Sequence, residues 1–248
     1  MKSEKESFRE LLKRKLTPGQ IKVLRGLYEV VLSLPFSGNL QMLGRIYETD
    51  KGDENHSYKG VSYLDVYAKC LAPFRGKPIS MLEIGVFRGE SLRMWKRYFP
   101  GSNIYGLDID PGTKQFEENR ICIEIGSQAD AAVLEGLAKK SGGFDIILDD
   151  GSHVNKHMIK SFDCLFKHLK KGGVYIIEDL GCSYFPLDQG NVREVWPGMK
   201  YNPADETLDN DRLDMDEFFK KIISDMDHRQ GDILSIQFWS STCLIFKG

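Results

Sequence analysis

The rhythm of apolar and polar positions changes near residue 79. Before that point the period is helical, with Phe8, Leu11, Leu12 and Leu16 on one face. Thr17-Pro18-Gly19-Gln20 reads as a helix start, with a threonine cap, proline at the first position and glutamine at the third. Ile21, Leu24, Leu27, Tyr28 and Val31 recur at helical spacing until Leu34-Pro35-Phe36-Ser37-Gly38 breaks the pattern. A shorter helix is expected from Leu40 to Tyr47, a polar loop from Thr49 to His56, and another helix through Leu64, Tyr67 and Leu71. Beyond residue 79 short apolar runs alternate with helical stretches. The pattern predicts strands over 80–84, 103–108, 121–125, 144–149 and 173–178, and helices near 91–98, 130–140, 155–169 and 214–226.

Short apolar strands alternating with helices imply an α/β fold with a parallel sheet covered on both faces. The chain closes with two strands, 233–238 and 242–246, joined by Ser240-Ser241, a connection short enough to require an antiparallel hairpin. A doubly wound sheet ending in such a hairpin is the outline of a Rossmann-like class I methyltransferase. The expected organisation is a helical cap over residues 1–60 and this sheet domain over residues 61–248. Between the last helix-strand unit and the hairpin, residues 180–213 form a long connection with little periodicity, a length that is uncommon unless functional.

Composition narrows the classes. The 248 residues carry 34 Lys+Arg against 36 Asp+Glu, so no net field points to nucleic acid or an anionic membrane. No apolar run approaches a bilayer span, and no apolar stretch of a signal peptide follows Met1-Lys2-Ser3-Glu4-Lys5-Glu6. Cys70, Cys122, Cys164, Cys182 and Cys243 are odd in number and contain no CxxC, against both a disulfide framework and a cysteine zinc site. The expectation is a reduced, cytoplasmic protein.

Two segments carry candidate chemistry. Met81-Leu82-Glu83-Ile84-Gly85-Val86-Phe87-Arg88-Gly89-Glu90-Ser91 runs from a strand through a glycine turn into a helix. Phe87 takes the place of the second glycine of a dinucleotide fingerprint, so nothing opens a path to a pyrophosphate. An acid at the strand end followed by GxxxG suits a ligand with an amino-acid moiety, and Asp108, at the end of the next strand, stands where a ribose-binding carboxylate belongs. Together they predict an S-adenosylmethionine (SAM) site at Glu83, Gly85, Gly89, Ser91 and Asp108, with Ser127, Gln128 and Asp149 as further contacts. An ordinary strand–turn–helix with solvated acids is the competing reading.

The second segment is a pair of acidic strand ends, Asp149-Asp150-Gly151-Ser152-His153 and Glu178-Asp179. Neighbouring strands lie about 4.8 Å apart, so four carboxylates meet at one rim and must protonate, fan out or share a cation. A hard ion with oxygen ligands such as Mg²⁺ resolves the conflict; helix capping by strand-end acids is the alternative. His153 beside such an ion is a candidate general base, with a capping role as its competitor, and Asp149 ranks second as base. His157 follows at i+4, but Val154 stands where a zincin carries Glu, so His157 reads as a surface residue.

With these residues in view, the chain resembles a known family. Leu82-Glu83-Ile84-Gly85-Val86, residues 91–100, Tyr105-Gly106-Leu107-Asp108-Ile109, Asp149-Asp150-Gly151-Ser152-His153 and Ile177-Glu178-Asp179 are similar to the metal-dependent sugar O-methyltransferases of antibiotic biosynthesis, the group of mycinamicin VI 2''-O-methyltransferase and rhamnosyl O-methyltransferases. The resemblance spans roughly residues 40–248. It implies Asp150, Glu178 and Asp179 as Mg²⁺ ligands, His153 as the base with Asp150 beside it, and SAM at the glycine turn and Asp108, leaving S-adenosylhomocysteine (SAH). It also implies that the Thr49-Asp50-Lys51-Gly52 loop approaches the cofactor, through Thr49 and Lys51. A large N-terminal domain of the mycinamicin enzyme has no counterpart here, which leaves oligomeric assembly and the macrolide acceptor open. The implied partner is a small-molecule glycoside, with no nucleic acid or membrane and with homo-oligomerisation allowed. Tyr184, Phe185, Trp196, Pro197 and Tyr201, interleaved with Arg193, suit an acceptor lid or local packing. A catechol-type phenol O-methyltransferase and a catalytically silent SAM-binding protein are the alternatives.

Overall fold

The computed structural model describes residues 17–52, 57–184 and 210–248. Its centre is a seven-stranded sheet in the order β5-β4-β3-β6-β7-β9-β8. The strands are β3 (Ser80–Ile84), β4 (Asn103–Asp108), β5 (Ile121–Ile125), β6 (Phe144–Asp149), β7 (Leu169–Ile177), β8 (Ile233–Trp239) and β9 (Thr242–Lys247). The first five in that order are parallel, while β9 runs antiparallel to β7 and β8 to β9. The chain winds outward from β3 to β5, returns, and winds the other way from β6. The order therefore reverses between β3 and β6, and the crevice at their carboxyl ends is where such sheets bind ligands.

Alternation along the strands assigns each residue to a layer. On one face Met81, Ile104, Ile146, Leu148, Val174 and Ile176 pack under α2 (Leu40–Tyr47), α3 (Tyr63–Cys70) and α4 (Glu90–Tyr98), with Tyr67, Trp95 and Phe99 buried. On the other, Leu82, Leu107, Ile147, Tyr175 and Ile177 pack under α5 (Ala131–Ser141), α6 (Asn155–Leu165) and α7 (Arg212–Asp227). The same alternation turns Glu83 and Glu178 to the α2–α3 face and Asp149 to the other. This parity decides the chemistry at the rim.

The helix expected after Thr17 is present as α1 (Pro18–Ser33), started by a capping box in which Thr17 and Gln20 satisfy each other's backbone N–H groups. Its apolar stripe faces outward, with Leu24, Leu27, Tyr28 and Val31 exposed. The buried side is polar: Glu29 accepts from Arg25 Nε at 2.7 Å and from Arg93 Nε of α4 at 3.0 Å. The stretch expected as helix up to 169 is shorter. α6 ends at Leu165, one 3₁₀ turn follows, and β7 begins at Leu169, because Leu169 pairs with Phe144 and the backbone at Gly173 crosses close to Asp145. A two-stranded ribbon, β1 (Ser57–Tyr58) and β2 (Val61–Ser62), was not anticipated; Lys59 and Gly60 turn it with positive φ at both positions, as tight hairpins require. The segment 1–16, with the first amphipathic stretch, and most of 180–213 lie outside the described residues.

Candidate active site

The glycine turn is held from below by local donors and acceptors. β3 stops at Gly85, whose φ is +92° and whose missing Cβ would sit 2.0 Å from the Asp150 carbonyl oxygen. Only glycine satisfies both conditions, and it lets the β3 and β6 ends meet. Gly89, at φ +69°, then caps α4. Asp108 at the end of β4 organises this turn. Its Oδ2 accepts from the N–H groups of Val86 and Phe87 at 2.8 and 3.0 Å, and its Oδ1 from Asp110 N–H at 2.8 Å. Oδ2 is filled by its two donors, whereas Oδ1 takes one and keeps an acceptor site open to a hydroxyl.

Glu83 and Ser91 lie beneath the turn instead of lining it. Ser91 Oγ donates to Glu83 Oε2 at 2.8 Å, and both are buried. Burial pushes the Glu83 carboxyl up to about 7, with Lys51 opposing the shift and Asp150 adding to it. Ser127 Oγ accepts from Ala129 N–H at 3.1 Å, and Thr49 carries its backbone bond to Gly44.

Gln128 and Asp149 come together on the α5–α6 side. Gln128 Nε2 donates to Asp149 Oδ1 and to Ser161 Oγ, each at 3.1 Å, and its Oε1 takes Ser152 N–H at 2.6 Å. Tyr175 OH donates to Asp149 Oδ2 at 3.2 Å. Burial raises the Asp149 carboxyl to about 6, with the Gln128 and Tyr175 hydrogen bonds pulling it back. Asp149 thus braces the turn after β6 from the face opposite the crevice.

The acids on the crevice face converge. Asp150 Oδ1 lies 4.0 Å from His153 Nε2, and Asp179 Oδ2 lies 3.6 Å from it. Among the described residues, one ligand atom each from Asp150, His153 and Asp179 fits within 4.8 Å of the others. Glu178 is set differently, with Oε1 accepting from Tyr67 OH at 2.5 Å and Oε2 from Lys51 Nζ at 2.8 Å. Lys51, 2% exposed, also pairs with Asp150 Oδ2 and lies 3.5 Å from Glu83 Oε1. Burial alone would lower its ammonium, but Asp150, Glu178 and Glu83 outweigh that and hold it well above the usual lysine range. Burial and Asp150 together push Glu178 up, against the pull of Lys51.

Two of the convergent residues sit in strained backbone, His153 at φ +55° and Asp179 at φ +52°. Such conformations cost about 1–3 kcal/mol each and persist where surroundings enforce them. Asn210 does so at His153, donating from Nδ2 to the His153 carbonyl at 2.8 Å while its Oδ1 takes Asn155 N–H at 2.9 Å. His157 stands apart, half-buried with Nδ1 3.0 Å from Ser152 Oγ. Tyr63, Tyr67 and Asn210 are the site residues that sequence reasoning missed. A YxxxY spacing on a predicted helix was visible, but nothing local linked it to acids more than a hundred positions away. Of the expected acceptor lid only Tyr184 is described, exposed and stacked under the Arg212 guanidinium at 4.5 Å; Phe185, Arg193, Trp196, Pro197 and Tyr201 lie outside the described residues.

Comparison with known proteins agrees with this geometry. Residues 82–180 match the model of a methyltransferase domain. A rhamnosyl tetracenomycin-C 2'-O-methyltransferase from Streptomyces olivaceus is 41% identical over 136 residues, 52% of this chain and 36% of that protein. Mycinamicin VI 2''-O-methyltransferase from Micromonospora griseorubida is 43% identical over 127 residues, 48% of this chain and 32% of its own length. The solved structure of the MycE methyltransferase from the mycinamycin biosynthetic pathway, in complex with Mg and SAH, superposes with a TM-score of 0.67 at 30% identity, covering 85% of this chain and 54% of that one. The chain thus spans about a third of the length of these curated relatives. Its α/β sheet is similar to that of the MycE methyltransferase, residues 82–180 match a methyltransferase domain, and about half of the chain is similar to sugar O-methyltransferases.

Proposed function

We propose that this chain transfers the methyl group of SAM to a hydroxyl of a sugar on a glycosylated small molecule of the antibiotic type, with Mg²⁺ assistance. The observation that carries the reading is the convergence of Asp150, His153 and Asp179 at the strand-order reversal, with the Asp150 carbonyl packed against Gly85 of the glycine turn. The donor set fits a hard divalent ion: two carboxylate oxygens face a common point, with Glu178 adjoining. Asp150, Glu178 and Asp179 would hold it, and the acidic rim would gain a counter-charge. When bound, such an ion polarises a coordinated hydroxyl and lowers its pKa.

The remaining work falls to side chains. Glycines 85 and 89 open the backbone to the cofactor, and Asp108 presents its carboxylate to the ribose while fixing the turn. His153 Nε2, already facing both rim acids, takes the proton of the sugar hydroxyl as the methyl arrives. The strained backbone at His153, clamped by Asn210, fixes that nitrogen in place. Asp149, hydrogen-bonded on the far face, serves as a brace.

Thr49 and Lys51 are proposed to approach the cofactor from below the glycine turn, where Lys51 meets Glu83. The division into a cap over 1–60 and a sheet domain over 61–248 is likewise proposed. Homo-oligomerisation is supported by the outward apolar stripe of α1. A cytoplasmic site of action is supported by five cysteines that are all free. Among the described residues no helix is long and apolar enough to cross a membrane.

A labelled-methyl assay with rhamnosylated polyketides and simple catechols tests the reading. Methylation of the sugar supports it. Methylation of catechols alone moves the acceptor to phenols, and tight SAH binding without transfer to either acceptor favours a silent SAM-binding protein.

A further inference from the structure

The rim acids follow β6 and β7, yet the groups that orient them come from the chain before β3, Lys51 from the cap and Tyr63 and Tyr67 from α3. Lys51 Nζ meets Asp150 Oδ2, Tyr67 OH meets Glu178 Oε1, and Tyr63 OH donates to Asp179 Oδ1 at 2.7 Å. The assignment of oxygens is informative. Glu178 has one such donor on each oxygen, whereas Asp150 and Asp179 have one on a single oxygen. Their other oxygens, Asp150 Oδ1 and Asp179 Oδ2, are the two that face His153 Nε2 at 4.0 and 3.6 Å.

An aspartate carboxylate rotates in a broad, shallow well about its last bond. A donor fixed on one oxygen therefore decides where the other points. The donor on Asp179 is itself fixed: Tyr63 is buried on α3, its ring stands 6.3 Å from that of Tyr67, and its hydroxyl also meets Ser241 in the turn between β8 and β9. Partners of this kind, one layer behind the ligands, typically change metal affinity 10–100-fold when removed.

We propose that Tyr63 is a positioning residue for the divalent-ion site, turning Asp179 Oδ2 toward Asp150 and His153, and that Lys51 does the same for Asp150. The cap and α3 are on this account a working part of the ion site. The inference rests on the proposed reading of the rim as an ion site. Tyr63 carries the test because its hydroxyl can be removed without changing charge. Loss of Lys51 would release Asp150 and delete a positive charge beside the ion, two effects of opposite sign.

The experiment is a Mn²⁺ titration of the full chain, followed by calorimetry or electron paramagnetic resonance, on wild type, Tyr63→Phe and the exposed control Tyr28→Phe. SAH affinity and melting temperature are measured on the same samples. The expected result is Mn²⁺ binding at least tenfold weaker in Tyr63→Phe, with SAH affinity, melting temperature and the control unchanged. Mn²⁺ affinity within twofold of wild type overturns the inference and leaves the ion site standing. A parallel fall in SAH affinity and melting temperature also overturns it, because the hydroxyl would then be holding the fold. Absence of Mn²⁺ binding by wild type overturns the inference together with the ion reading.

Discussion

The two halves of the crevice solve the same problem in different ways. At the ends of β3 and β4 the acid Asp108 is satisfied by backbone N–H groups of Val86, Phe87 and Asp110, all from the turns at those two strand ends. At the ends of β6 and β7 the acids are satisfied by Lys51, Tyr63 and Tyr67, side chains about a hundred or more positions away. The first arrangement needs only a strand–turn–helix with glycine at the right places. The second needs the cap and α3 docked on the sheet. Backbone donors are fixed by the fold and carry no charge, while an ammonium buried among three acids exists only as long as all partners stay in register. Substitutions on the acid side should therefore cost more, and reach further, than those on the cofactor side.

The largest contrast is expected for Lys51→Met. Breaking a buried ion pair by removing one partner costs roughly 3–5 kcal/mol, and a domain of this size shifts by about 2–4 °C for each of these. Chemical denaturation should show this loss, whereas a stability within about 1 kcal/mol of wild type would mean the ammonium is not what fastens the cap.

Asp149→Asn comes next and acts through pH. The Asp149 carboxyl is raised from 3.8 to about 6 by burial, against the pull of Gln128 and Tyr175. A raised acid favours folding in its protonated form, so its contribution is complete below pH 4 and is lost as pH rises through 6. A shift of roughly two units corresponds to about 3 kcal/mol. Asparagine is neutral throughout and keeps an acceptor for Gln128, with Tyr175 OH able to turn and accept. Urea melts should thus show the variant gaining on wild type between pH 4 and pH 7. A difference that does not move with pH would refute the assignment of the shift to this carboxyl.

His153→Ala separates chemistry from binding. General-base help is typically worth 10²–10⁴-fold, so kcat should fall by about two orders of magnitude with SAH and ion affinity nearly intact. A variant keeping more than about a tenth of wild-type kcat would hand the proton to another group. The smallest effect belongs to the cofactor side. Asp108→Asn keeps one acceptor oxygen for the turn but sets an NH2 against the backbone N–H that the other oxygen accepts, and it loses the charge; hydrogen bonds to charged groups are worth about 1.5–3 kcal/mol against roughly 1 for neutral ones. SAH affinity should fall about tenfold by calorimetry, with a stability loss of about 1–3 kcal/mol for the turn bond left unmade; unchanged affinity would place the ribose elsewhere.

The same contrast explains what the sequence made legible. The α2 boundaries, the β3 to β6 strands, the terminal hairpin and the threonine capping box follow from periodicity and local chemistry. Gly85 and Asp108 are legible as parts of a turn because the hydrogen bonds that shape it lie at the ends of β3 and β4. The convergence of Asp150 with Asp179 followed from strand adjacency. The layer behind it did not, since Tyr63 and Tyr67 occupy positions that any core helix would fill with aromatics. Nor was the orientation of α1 legible, because its apolar stripe faces outward and Glu29 faces Arg25 and Arg93 inside. Both misses concern partners distant in sequence.

The central claim is that the β6–β7 rim supports methyl transfer with a divalent ion while the β3–β4 turn holds the cofactor. It is tested most directly by following SAM-dependent methylation of a rhamnosylated acceptor before and after exhaustive chelation, with SAH binding measured alongside. The account predicts that chelation abolishes turnover, that Mg²⁺ restores it, and that SAH affinity is unchanged throughout. Full turnover by the metal-free protein would contradict it.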